Sequence, residues 1–127
     1  MLYDEDRYLW GTHFSKKRFH ETCLEEYASV FPSVEVDSTY YAFPKTKILK
    51  DLASQVPDNF RFSFKVPDKI TVKNYPNSES LGERAGQANE LFLSEGLFTM
   101  AFLKPLESIQ EKVGLLIFEF PHFHVDD

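Results

Sequence analysis

The sequence predicts an α/β layer in which three parallel strands, joined by crossover helices, form part of a TIM-type (β/α) barrel. Helical and strand patterns alternate along the chain, and strands separated by helices pair in parallel. Each strand pattern keeps one apolar face and sets charge on the other: Glu35 with Asp37, Arg61 with Lys65, and Glu119 between Phe118 and Phe120. An open parallel sheet is covered by helices on both faces, and its strands read as nearly continuous apolar runs. A barrel accounts for the charge by turning the apolar face to the helices and the other face to the lumen. With 127 residues, 43% of them hydrophobic and 13 of them Phe, the chain supplies material for one core and no more.

The elements follow in order. "TCLEEYASVF" reads as a helix opened by a capping box of Thr22 and Glu25, with Leu24, Tyr27, Ala28 and Phe31 on one stripe and Pro32 ending it. "VEVDSTYY" alternates, with Val34, Val36 and Ser38 on one face and Glu35, Asp37 and Thr39 on the other. "TKILKDLASQV" is a second amphipathic helix, capped by Thr46 and stopped by Pro57, whose stripe is Ile48, Leu49, Leu52, Ala53 and Val56. "FRFSFKV" is the second strand. The polar stretch from Pro67 to Gln87 is long for a loop inside a compact domain, a length associated with function or disorder. Helical spacing resumes from Asn89 to Leu103, and a short helix from Pro105 to Lys112 holds the proline in its first turn. "GLLIFEF" is the third strand, closed by Pro121.

Composition narrows the function classes. A net charge of −6 weighs against nucleic acid or anionic lipid as a partner, although a local basic patch would escape this measure. One cysteine, Cys23, rules out an internal disulfide framework and reads as a buried, inert thiol. The first residues lack a basic region followed by an apolar one, and no apolar run is long enough to span a bilayer. A cytoplasmic protein is expected. No phosphate loop, dinucleotide fingerprint, cysteine cluster or serine-nucleophile motif occurs, so no cofactor is assigned.

The charged faces locate a site. Lys65 and Glu119 lie at the carboxyl ends of their strands and Asp37 near the end of its own, the rim where barrel enzymes place catalytic groups. Unpaired charges in a lumen are costly, so mutual pairing is expected. Glu35, Asp37, Lys65 and Glu119 are therefore the candidate catalytic residues. In this reading Glu35 and Asp37 orient or ionise groups, Lys65 stabilises developing negative charge, and Glu119 is the base. Tyr40, Tyr41, Arg61 and Thr71 are the candidate substrate contacts. A structural ion-pair network is the competing explanation. The terminal "PHFHVDD", with His122, His124, Asp126 and Asp127, has metal-ligand types at a common spacing and a loose position, so no metal site is assigned. Lys69, Lys73 and Tyr75 in "KITVKNY" read as a solvated loop before a phosphate or base contact.

The phrases "FPSVEVDSTYYAFP", "VPDNFRFSFKVPDKIT" and "VGLLIFEFPHF", with "YLWGTHF" ahead of them, resemble in order and spacing those of the YecE-like family, domain of unknown function 72. The resemblance implies a TIM-type barrel and no settled reaction. Asp37 stands where the family commonly has Asn, Val72 where it has His, and Glu119 and His122 where it has Gln and Pro.

The resemblance reaches only the early part of the family domain, and a complete barrel takes about 250 residues. Residues 1–127 are thus expected to be a single incomplete domain, self-associating through open sheet edges or the inner face. The expected function is acid/base or hydrolytic chemistry on a small polar or phosphorylated substrate. The alternatives are a nucleic-acid or protein binding module, or an inactive barrel fragment.

Overall fold

The computed structural model describes the backbone of residues 16–123 and the side chains from 22 to 123. The "YLWGTHF" segment and the histidine-containing end beyond residue 123 lie outside the described residues. The order of elements is α1 (Lys16–Ala28), β1 (Ser33–Val36), α2 (Ser38–Tyr41), α3 (Thr46–Ser54), β2 (Arg61–Lys65), α4 (Asp68–Thr71), α5 (Glu95–Leu97), α6 (Lys104–Glu107) and β3 (Val113–Ile117). The three strands form one parallel sheet in the order β1-β2-β3. This is the partial (β/α) barrel that the alternating pattern predicts.

The apolar parity of the strands makes the core. Phe60, Phe62, Phe64 and Val66 are at most 1% exposed and cluster with Leu49, Phe102, Leu106 and Ile109. Val34, Val36, Val113 and Leu116 pack against the same cluster, so the helices cover this face. The opposite parity, with Glu35, Ser63, Lys65 and Leu115, is left open. In β3 the parity shifts at an irregularity: Phe62 pairs with Val113 but Phe64 pairs with Leu116. The Ser63 hydroxyl accepts the Leu115 N–H there at 3.2 Å. Gly114 permits this close approach, since a Cβ would stand 3.2 Å from Ser63 Oγ and 3.4 Å from the Phe62 carbonyl oxygen. Gly114→Ala is expected to cost about 1–3 kcal/mol through overpacking, read as a lower urea midpoint; an unchanged midpoint would mean that β2 and β3 separate freely at this point.

Several expected boundaries move. Thr22 lies inside α1, which begins at Lys16, so Thr22 and Glu25 form no capping box. Thr46 is the first residue of α3 and Lys45 holds the cap position. Ile48 is 54% exposed, off the buried stripe that Leu49 leads. Cys23 is half-buried and free. The alternation of "VEVDSTYY" stops at Val36, because Ser38–Tyr41 turns into α2 and buries Thr39.

The segment after Pro67 is folded rather than a solvated loop: Ile70, Thr71, Val72 and Tyr75 are buried. Asn74 bridges Ala88, and the Asn89 side chain donates to the Lys69 and Val72 carbonyls at 2.9 and 2.7 Å. The same Asn89 accepts the Leu91 N–H, and Leu93 has a φ of 53°, so a helix cannot start at Asn89. It starts at α5, where the Ser94 hydroxyl accepts the Leu97 N–H.

Pro105 does not open a separate helix, because α5, a π-helical stretch Phe98–Leu103 and α6 run on without a break. Proline has no N–H to give and presses on the preceding turn, and the widened π turn accommodates it. The third strand ends at Ile117, two residues before Glu119.

Candidate functional site

Register brings the charged residues together. Ser33 pairs with Arg61 and Val36 with Phe64, so Asp37 comes level with Lys65 on the open face and Glu35 lies one pleat behind. Lys65 in turn pairs with Ile117, which carries the chain past the sheet to Glu119. The Lys65 ammonium lies 3.0 Å from Asp37 Oδ1, 3.0 Å from Glu119 Oε2 and 3.4 Å from Glu35 Oε1. One residue from each strand or its exit, and a second from β1, therefore meet at the carboxyl-terminal rim. The Lys65 side chain is 23% exposed, whereas its three partners are about half in solvent, at 46–59%.

The strand ends are fixed by Thr39, a buried residue that sequence reasoning put on the open face and assigned no role. Its hydroxyl lies 2.7 Å from the Lys65 carbonyl oxygen and 3.0 Å from that of Val36, tying the exits of β1 and β2. A Ser-Thr pair straight after a strand is the signal available for it, because short hydroxyl side chains bind nearby backbone at such turns.

Electrostatics sets the protonation states. The hydrogen bond from Lys65 holds the Asp37 carboxyl below its ordinary value, with burial opposing. Hydrogen bonds to Asp37 and then Glu119 raise the Lys65 ammonium well above the lysine range. Lys65 is therefore a fixed cation at neutral pH, not a base or a nucleophile, and Asp37 is a fixed anion. Tyr40 is half-buried, and burial followed by the charges of Glu119 and Asp68 pushes its hydroxyl up. It stands beside the site as a neutral phenol.

The other expected contacts disperse. Tyr41 is 77% exposed and meets Tyr40 edge-on at 5.2 Å between ring centroids. Arg61 opens β2, at the end of the strand opposite Lys65, and donates to the carbonyls of Asp58 and Phe60. Thr71 is wholly buried, and its hydroxyl has no hydrogen-bond partner. Glu35, Asp37, Lys65 and Glu119 thus converge, Tyr40 adjoins them, and Arg61 stands apart.

Among the described residues, no group of three His, Cys, Asp or Glu side chains is placed to hold a metal ion; the three carboxylates enclose an ammonium. No helix among the described residues is long and apolar enough to cross a membrane. A surface hollow lined in part by Lys50, Ala53, Ile109 and Lys112 sits on the helical side, away from this chemistry.

A family model described as "Protein of unknown function DUF72" matches residues 3–127. The UPF0759 protein YecE of Escherichia coli K12 is 46% identical over 50 residues, covering 39% of this chain and 18% of YecE. The same values hold for YecE of Escherichia coli O157:H7. Two crystal structures of a DUF72 family protein from Enterococcus faecalis V583 are also similar. One is 31% identical with a TM-score of 0.55 and is matched over 80% of this chain and 36% of its own. The other is 30% identical with a TM-score of 0.59, over 94% and 38%. Those proteins have a TIM-barrel-like fold. The match spans less than a fifth of the curated relatives and little more than a third of the solved ones.

Proposed function

This chain belongs to the DUF72 family, and from that premise we propose that its rim is an acid/base site for a small polar substrate carrying hydroxyl or amino groups. One observation carries the reading: a single ammonium shared by Glu35, Asp37 and Glu119. Asp37 and Glu119 take hydrogen bonds from the ammonium and Glu35 stands 3.4 Å from it, so a substrate anion would have to compete with three carboxylates for Lys65. Three carboxylates against one cation leave two negative charges in excess, while their outward oxygens accept hydrogen bonds. A hydroxyl or amine donor suits that surface, and a phosphoryl group is repelled by it.

Within this reading the roles follow from position. Lys65 holds Asp37 ionised and draws Glu35 and Glu119 to the rim, and it stabilises developing negative charge once a carboxylate turns to the substrate. Glu35 and Asp37 orient donors. Glu119, on the exit of β3 and outside the regular sheet, is the base that takes the substrate proton. A cytoplasmic setting belongs to the same proposal and suits a chain with a single cysteine. The acidic rim supports this enzyme reading over nucleic-acid binding, which requires a cationic footprint.

The test is side-chain NMR of the carboxyl carbons of Glu35, Asp37 and Glu119 during titration with methyl glucoside, putrescine and inorganic phosphate. Saturable shifts with the hydroxyl or amine probe, and none with phosphate, are expected. Phosphate binding at Lys65 would reject the reading.

A further inference from the structure

We infer that Thr39 is a positioning residue of the rim: its hydroxyl sets Asp37 against Lys65, while Glu119 is placed without it. The inference rests on the acid/base reading of the rim and adds a residue that touches no substrate in that reading. The parallel ladder between β1 and β2 ends at the pair Val36 and Phe64. One residue further the chain has left the strand, for Asp37 already has helical angles, with φ −67° and ψ −30°. The Lys65 carbonyl thus lies beyond the last rung. The Thr39 hydroxyl stands in for the missing strand donor, 2.7 Å from that oxygen, with Thr39 only 5% exposed. A carbonyl left unpaired away from water is costly, so this bond fixes the backbone from which the Lys65 side chain rises.

The same hydroxyl lies 3.0 Å from the Val36 carbonyl oxygen and closes the turn that contains Asp37. A hydroxyl has one proton to donate, so the two carbonyls share it in a three-centre bond. One atom, Thr39 Oγ1, is therefore the common reference for both partners of the 3.0 Å contact between Asp37 and Lys65. The contact with Glu119 is built differently. Lys65 pairs with Ile117, and the Val66 N–H donates to the Ile117 carbonyl at 2.9 Å, so backbone bonds alone tie the exit of β3 to β2. Two contacts of equal length on one ammonium thus depend on different parts of the chain. Deleting a single hydroxyl separates them.

Side-chain NMR on the chain with Thr39→Val and Thr39→Ser tests this, since valine keeps the shape without the hydroxyl and serine keeps the hydroxyl. The charged groups facing Asp37 are Lys65 and Glu35, and in the wild type its carboxyl titrates below the ordinary value. In Thr39→Val it should titrate higher, toward that ordinary value, while nuclear Overhauser contacts between Lys65 and Glu119 persist. Thr39→Ser should keep the wild-type titration. A valine variant in which Asp37 titrates as in the wild type would overturn the inference. So would loss of the Asp37 and Glu119 contacts together, or a serine variant that behaves like valine. Should the valine variant fail to fold, the wild-type hydroxyl proton decides: it should exchange slowly enough to be observed, and fast exchange with water would overturn the inference. None of these readings needs a substrate. A rim that binds neither methyl glucoside nor putrescine rejects the acid/base reading and leaves the Asp37 titration unmoved.

Discussion

Phe64→Ala should destabilise the chain by about 3–5 kcal/mol, the range for truncating a buried phenylalanine. Phe64 is 0% exposed, lies in the middle strand and packs against the ring of Phe62, with 6.2 Å between centroids. Strands on both sides and the helices above hem it in, so little collapse can fill the space. A domain has only about 5–15 kcal/mol in total, so the loss should remove a large share of the chain's stability. Urea denaturation followed by circular dichroism measures it. Phe64→Leu should recover more than half of the loss, because it restores most of the volume. A cost below about 1 kcal/mol for the alanine variant would contradict the packing of the central strand.

The fold was legible because the barrel signal is local and periodic. Phe60 to Val66 alternate so regularly that one face had to be core, and the charges on the other face could be assigned to a rim before any register was known. Pairing of Lys65 with Glu35, Asp37 and Glu119 followed from the cost of leaving such charges apart.

The rest depended on contacts distant in sequence. Asn89 looked like a helix start until its side chain was seen to hold the carbonyls of Lys69 and Val72, about twenty residues back. Arg61 shares the parity of Lys65 but sits at the other end of the strand, where parity alone does not discriminate. Thr39 read as one more residue of a strand, and only the turn at Asp37 makes it the tie between two strand exits. The irregularity at Gly114 has one trace in the sequence, the glycine itself, which in a strand marks a bulge or a close backbone approach without saying which.

Lys65→Met should reverse the pH dependence that the rim contributes to stability. In the wild type, Asp37 titrates below its unfolded value, so its contribution is present above about pH 4 and is lost as pH falls through the lowered value. Lys65 titrates above its unfolded value, so its contribution is complete below about pH 10 and is lost only at more alkaline pH. Across the neutral range the cluster therefore adds a constant, favourable amount.

Without the ammonium, three carboxylates share one rim with nothing to separate them. Their repulsion favours the protonated forms and raises their folded-state values above the unfolded ones. A raised carboxyl stabilises the fold at low pH and ceases to do so as pH rises through it. The variant should thus lose stability from about pH 4 upward, where the wild type stays level. The gap between the two should be widest at neutral pH and should shrink with added salt, because the carboxylates are exposed. Urea midpoints from acid to neutral pH measure this directly. A gap constant with pH would mean that the methionine acts through packing alone, and the cluster would then have no electrostatic hold on the rim.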